Sequence, residues 1–221
     1  MNISEDLGYI NTNITRALSD TADGYQQFLT TMGQNVDSFV TDAGNNWACA
    51  QAQEFFKGTF APCIQELYST VKQGVDALQK SVVEAQGGWA KTLKGSDSVS
   101  EVTTATSKDV DVGAIKDEID GFKGMKVGFN VTYETLSNFG ETAETCMKAI
   151  ENATKNCGFK GAGQEEALLA YYKKLTDAIK TITNNMIKKF QDYLNSTAEA
   201  YGGYAQSVAD GFSQSTFSIG E

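Results

Sequence analysis

Apolar residues recur at steps of three and four positions along two long stretches in the first half of the chain, residues 7–43 and 52–89. This spacing gathers the apolar side chains along one side of an α-helix, so each stretch is predicted to form a long amphipathic helix. The single proline, Pro62, falls inside the second stretch. Proline has no N–H and its ring clashes with the carbonyl four residues earlier, so we expect this helix to kink or split near residues 58–59.

The second half of the chain carries two further amphipathic stretches, residues 115–150 and 168–198. Four glycines between residues 113 and 128 weaken the prediction of a helix at the start of the third stretch. Between the halves, residues are polar and show little periodicity, which is typical of a linker. We therefore predict a first helical hairpin, a linker, a second helical hairpin and a flexible tail, over residues 1–94, 95–110, 111–212 and 213–221.

Short polar segments separate the two helices of each half and are predicted to form the hairpin tips. Gly44 is expected to end the first helix in the left-handed conformation. A large aromatic residue at the start of the following helix can pack on the end of the preceding one, and a small residue two positions on lets the chain turn tightly. This hypothesis assigns the tip motifs to Trp47 and Cys49 in the first half and to Phe159 and Gly161 in the second. Both aromatic residues are predicted to be buried.

The two halves read as a degenerate internal repeat, which is a strong guide to a fold. Trp47 and Phe159 are 112 positions apart, and the same offset aligns apolar positions of the second and fourth helices. Farther on, residues 85–90 (Ala-Gln-Gly-Gly-Trp-Ala) are similar to residues 200–205 (Ala-Tyr-Gly-Gly-Tyr-Ala). The predicted fold is all-α and without a sheet: two long helical hairpins packed as an elongated antiparallel four-helix bundle.

Composition narrows the classes of function. The formal net charge is −10 and Arg16 is the only arginine, which argues against nucleic acid and against anionic membranes as partners. Histidine is absent, which removes the commonest general base and metal ligand. The four cysteines form no Cys-x-x-Cys pair, and all four are predicted to be reduced, buried thiols: Cys49, Cys63, Cys146 and Cys157. We predict no enzyme activity, catalytic residue, cofactor or metal.

Two further patterns bear on localisation. No run of apolar residues approaches the roughly 18 that a membrane-spanning helix needs. The first six residues are acidic rather than basic and no apolar segment follows them, unlike a secretory signal peptide. We therefore expect the protein to be made in the cytoplasm without a signal peptide, and any export to follow a route that does not read one.

The tip motifs and the hairpin pattern resemble the WXG100 (ESAT-6-like) family, whose members are helical hairpins of about 100 residues with Trp-x-Gly at the turn. Trp47-Ala48-Cys49 keeps the tryptophan and has cysteine in place of the glycine, whereas Phe159-Lys160-Gly161 keeps the glycine. Residues 52–56 are similar to the entry of the second helix in that family. The chain thus resembles two fused copies, covering nearly its whole length.

This resemblance implies a non-enzymatic substrate of a type VII (ESX) secretion system, or a co-secreted partner, built as a single-chain mimic of a WXG100 dimer. Protein partners would include the secretion ATPase or a co-secreted toxin, and a homodimer stays open. The alternatives are a cytosolic adaptor or chaperone for a larger LXG-type toxin and a membrane-active helical protein. Substrates of these systems often carry Tyr-x-x-x-Asp/Glu after the second helix, a motif that this chain lacks. The corresponding region places a candidate export signal at Tyr201, Tyr204 and Asp210.

Overall fold

The computed structural model describes residues 11–48, 50–93, 110–112, 124–125, 133–156 and 163–214. Its long helices confirm the prediction of an all-α bundle. The helices are α1 (Asn11–Asn46), α2 (Ala50–Phe55), α3 (Ala61–Leu93), α4 (Tyr133–Lys155) and α5 (Gln164–Gln214), with a π-helical turn (Phe56–Phe60) joining α2 to α3. Two short strands, β1 (Trp47–Ala48) and β2 (Gly124–Met125), complete the described elements.

The π-helical turn lies where Pro62 was predicted to disturb the helix. The N–H of Ala61 donates to the carbonyl oxygen of Phe56, five residues earlier, instead of four. One extra residue in this turn changes the hydrogen-bond register just ahead of Pro62, which has no N–H to donate. The helix therefore passes from α2 into α3 without a gap.

Three local predictions are wrong. Gly44 does not end α1, which continues to Asn46, and the described glycine with a positive φ is Gly163, at 72°. Within the predicted third helix, Gly124–Met125 form β2 instead of helix, and the described part of the helix is α4, from Tyr133; residues 113–123 and 126–132 lie outside the described residues. The expected absence of a sheet also fails at one place. Strand β1 pairs with β2 in antiparallel register, Trp47 opposite Met125 and Ala48 opposite Gly124.

Contacts between side chains give the helix directions. The ring centroids of Phe28 in α1 and Tyr68 in α3 are 5.6 Å apart, and those of Phe39 and Phe56 are 5.2 Å apart, so the chain from α2 to α3 runs antiparallel to α1. Helix α1 is also antiparallel to α4: Gly24 faces Ala149, whereas Asn35, farther along α1, contacts Thr142, which is earlier in α4.

Helix α5 is antiparallel to α4 and to α3. A Cβ on Gly140 of α4 would collide with Thr183 of α5, and Glu144 Oε2 of α4 lies 3.9 Å from Lys180 Nζ of α5. Leu175 lies against Gly74 in α3, and Phe190 lies against Phe55 in α2. These contacts leave α3 and α4 pointing in the same direction. The end of α3 and the start of α4 consequently lie at opposite ends of the bundle.

Both halves of the chain contribute to a single hydrophobic core. Phe39 of α1 lies near its centre, with ring centroids within 6.4 Å of aromatic rings from the π-helical turn, α4 and α5. These partners are Phe56, Phe60, Phe139 and Phe190. Of the predicted linker, the described residue is Val110, which is half-buried and packs against this core. Of the predicted tail, residues 213–214 belong to α5.

Candidate functional site

Trp47, the tryptophan of the first tip motif, is completely buried, as predicted. Its ring lies 5.8 Å from that of Phe55, 6.2 Å from that of Phe56 and 5.5 Å from that of Phe190, the last at an interplanar angle of 89°. Edge-to-face pairs of this kind are favourable beyond the apolar area that they bury. Phe190 belongs to α5, so the tip of the first half packs against the second half of the chain.

A hydrogen bond fixes the orientation of the buried indole. Trp47 Nε1 donates to Thr197 Oγ1 at 3.3 Å, and Thr197 Oγ1 in turn donates to the carbonyl oxygen of Tyr193 at 2.8 Å. Both side chains are buried, so this bond is shielded from competing water. Sequence reasoning placed Ala198 on the buried face of α5, but Ala198 is exposed and Thr197 is buried. The burial of Thr197 could not be predicted from the sequence, because threonine residues are more often found on the exposed face of a helix.

Of the second tip, the structure describes the turn at Gly163 that leads into α5. Cys49, Phe159 and Gly161 lie outside the described residues. In the second tip, Gly163 adopts its positive φ immediately before α5, and its carbonyl oxygen accepts a hydrogen bond from the N–H of Ala167 at 3.1 Å. The left-handed turn expected of a tip glycine is therefore found at Gly163, two positions beyond the glycine of the predicted motif.

The candidate export signal lies on the last part of α5, which extends past the Trp47 end of the bundle. Residues 198–211, here called the α5 extension, are all exposed. Tyr201 and Tyr204 are 58% and 69% exposed, which is unusual for large aromatic side chains. Together with Gln51 and Ala200 they line a cleft of about 410 Å³ between the start of α2 and α5.

Asp210 does not join the two tyrosines. It is six residues beyond Tyr204, a separation that turns its side chain about 120° away around the helix. Its Oδ1 accepts a hydrogen bond from Gln206 Nε2 at 2.7 Å, on a different side of the α5 extension. The structure therefore brings Tyr201 and Tyr204 together and sets Asp210 apart.

The two described cysteines show no sign of reactive chemistry. Cys63 and Cys146 are free thiols; Cys146 is buried, as predicted, whereas Cys63 is only half-buried, which contradicts the prediction. Burial raises the pKa of Cys146 to about 12, and burial followed by the Glu66 carboxylate raises that of Cys63. A raised pKa leaves little thiolate, the form that attacks electrophiles and binds metals. Within the described parts of the chain, no group of three or more histidine, cysteine or acidic residues is placed to hold a metal ion.

A second cavity of about 410 Å³ lies between α1 and α4. Several of the residues that line it carry amides or hydroxyls, including Asn35, whose Nδ2 donates to Thr142 Oγ1 at 3.5 Å. Glu141 is the charged residue among those that line it. The cavity contains no nucleophile paired with a base. None of the helices in the described ranges combines the length and apolar character needed to cross a membrane.

Comparison with known proteins adds no further identification. No family model matches this chain, and the searches of characterised proteins and of solved structures give no significant match.

Proposed function

We propose that this chain is a non-enzymatic type VII secretion substrate or co-secreted partner, a single-chain counterpart of a WXG100 dimer. The observation that carries the proposal is the burial of Trp47 against the second half of the chain. A tryptophan at the tip of one hairpin that packs against a second hairpin is what two fused copies of such a protein would need. The resemblance of the tip motifs supplies the name of the secretion system.

A second observation supports export of the folded bundle. The α5 extension stands clear of the core, because every described residue from Ala198 to Gly211 is exposed. A receptor could therefore contact Tyr201, Tyr204 and Asp210 without unfolding any helix of the bundle. The proposal accordingly places direct recognition, where it occurs, on this extension, with the first half acting as the bundle partner of the second.

The test is truncation after Ala200, which removes most of the α5 extension together with the residues that follow it, and then assay of the culture medium and of the thermal melt. Because the removed residues whose burial is described, 201–211, are all exposed, we expect the melt to be retained and export to be lost. Tyr201→Ala with Tyr204→Ala should reproduce the loss, whereas Ser207→Ala, a matched change on the same exposed stretch, should leave export intact.

Two outcomes would count against the proposal. Undiminished export of a folded truncated protein would remove the α5 extension as the signal and assign it to a co-secreted partner. Unchanged export from cells that lack the type VII secretion ATPase would contradict the proposed function itself.

A further inference from the structure

The α5 extension carries two stripes of side chains that run beside each other. At about 100° per residue, Tyr201, Tyr204 and Val208 fall within one sector of roughly 60°. Four small residues occupy the neighbouring sector, also about 60° wide: Ala198, Gly202, Ala205 and Ala209. All of these residues are exposed, and Val208 is 39% exposed. The extension therefore presents a wide face that is aromatic and apolar on one side and nearly flat on the other.

The two glycines of the extension have no close neighbour among the described residues that would require them. Apart from the adjoining residues and the backbone of α5 itself, nothing lies within 4 Å of the position that a Cβ would take on Gly202 or Gly203. A glycine inside an exposed helix costs about 1 kcal/mol relative to alanine, so the extension gives up helix stability without a contact to the described parts of the chain that needs glycine. A flat stripe of small residues allows the backbone of another helix to come close.

The face is continuous with the interface that α5 makes in the core. Phe190 and Thr197, which are buried, fall in the same sector as Tyr204 and Val208. Beyond the Trp47 end of the bundle, this sector of α5 therefore faces the space above the ends of the other helices. If the extension of a second copy packed against this sector in parallel orientation, the bundle of that copy would occupy the same space as the first bundle. A helix that covers it must come from the opposite direction.

The charges favour a copy of the same chain as the occupant. The acidic residues of the extension, Glu199 and Asp210, lie roughly 140–160° around the helix from the centre of the face. Two copies can thus approach without opposing like charges, although the whole chain has a net charge of −10. A basic partner would instead be drawn to the acidic side of the helix, away from the tyrosines.

We propose that two copies of this chain associate end to end through their α5 extensions, as an antiparallel helix pair. The two-fold axis of an antiparallel pair brings like stripes together, so tyrosines meet tyrosines and small residues meet small residues. The first contact supplies aromatic pairs, and the second allows the helix axes to approach to about 8 Å. This interface goes beyond the proposed export function and does not depend on it.

The size of the face indicates a weak, reversible dimer. The extension of 14 residues, 198–211, is about 21 Å long. Two such stretches would bury on the order of 1,000 Å² in total, at the lower limit for a specific interface. Association would cover Tyr204, so the tyrosines would be accessible to a receptor in the monomer.

Sedimentation of the purified full-length chain tests the proposal. The apparent mass should rise from 23.8 kDa toward twice that value as the concentration increases from about 10 µM to about 1 mM. Ala205→Arg places a long charged side chain near the centre of the face and should raise the dissociation constant at least about tenfold. Ser207→Arg adds the same charge two residues away, on the far side of the helix, and should change the constant less than about twofold.

The two arginine variants have matched helix propensity and exposure, and their thermal melts establish that both are folded. A mass of 23.8 kDa at every concentration would overturn the proposal, as would equal weakening by both variants. A mass that grows steadily past the dimer would overturn the closed, two-fold arrangement. Because no secretion machinery is present, none of these outcomes bears on the proposed export.

Discussion

Replacing Trp47 by alanine is the sharpest test of how the two halves of the chain are held together. The indole is completely buried and contacts three phenylalanine rings, one of which belongs to α5. Deletion of a buried tryptophan side chain typically costs 3–5 kcal/mol, because apolar burial is lost and a cavity remains. Loss of the hydrogen bond to Thr197 adds about 1 kcal/mol. We therefore expect Trp47→Ala to lower the free energy of unfolding by about 4–6 kcal/mol.

Urea denaturation followed by far-ultraviolet circular dichroism measures this loss as a lower transition midpoint. Trp89→Ala is the matched control, since Trp89 is the other tryptophan and is only half-buried in α3. Its loss should be less than half that of Trp47→Ala. A midpoint for Trp47→Ala equal to that of the unmodified protein, or a smaller loss than in Trp89→Ala, would refute the inference that this indole joins the halves.

A double-mutant cycle isolates the hydrogen bond within this effect. Thr197→Val keeps the side-chain shape and removes the hydroxyl that accepts from Trp47 Nε1, so it should cost about 1 kcal/mol. Trp47→Phe keeps an aromatic ring but has no N–H. In that background Thr197→Val should cost about 1 kcal/mol less, which is the coupling energy of the pair. Equal costs in both backgrounds would show that the bond contributes nothing measurable.

Two further predictions follow from the close contacts and the buried hydroxyls. Gly140→Ala should destabilise the bundle by about 1–3 kcal/mol, because the new Cβ would lie 2.9 Å from Thr183 Cγ2, whereas Gly33→Ala, with nothing within 4 Å, should be neutral or stabilising in the same melts. Burial, followed by nearby Asp76 for Tyr25 and Asp37 for Tyr68, raises the pKa of each phenol from 10.0 to about 12. The unfolded chain therefore releases these protons at lower pH than the folded chain does. The contribution of the two phenols to the free energy of unfolding should be constant below about pH 10 and should fall as pH rises toward 12. Tyr68→Phe should make that fall shallower, and a flat profile across this range would contradict the reasoning.

The all-α class and most of the core followed from the hydrophobic pattern. Steps of three and four residues place one face of each helix against other apolar groups, whatever those groups are. Phe39, Phe56 and Phe190 fall within the predicted amphipathic stretches, residues 7–43, 52–89 and 168–198, and all three are buried. The effect of Pro62 was also predictable in place, since it arises from the chemistry of one residue and its neighbour four positions earlier.

The tip of the first hairpin was only partly predictable. Burial of Trp47 could be expected, because a large aromatic residue beside a chain reversal has apolar helix ends within reach. Its hydrogen-bond acceptor could not, because Thr197 is 150 positions away in the sequence. Local signals also misled at Gly44, where a residue that favours a left-handed turn stays in α1 because the chain reverses through β1 instead.

The α5 extension shows the same division. By residue type alone, Tyr201 and Tyr204 would be expected to pack in a core, because large aromatic side chains are more often buried than exposed. They are exposed because the other described helices that could cover them end near Trp47, whereas α5 continues to Gln214. Whether an apolar stripe on a helix is buried depends on how far the neighbouring helices extend. The spacing of apolar residues within the helix does not carry that information.

By itself, the sequence determined that this chain forms long amphipathic helices, which face of each is apolar, and where Pro62 and the segment around Trp47 interrupt the pattern. Only the tertiary structure decided that α3 and α4 run in the same direction, that Trp47 packs on Phe190, and that α5 extends beyond the ends of the other described helices. The physical reason is that helix periodicity is a local property, set within a few residues. The choice of partner for each apolar face depends instead on shape and distance between residues that are far apart along the chain.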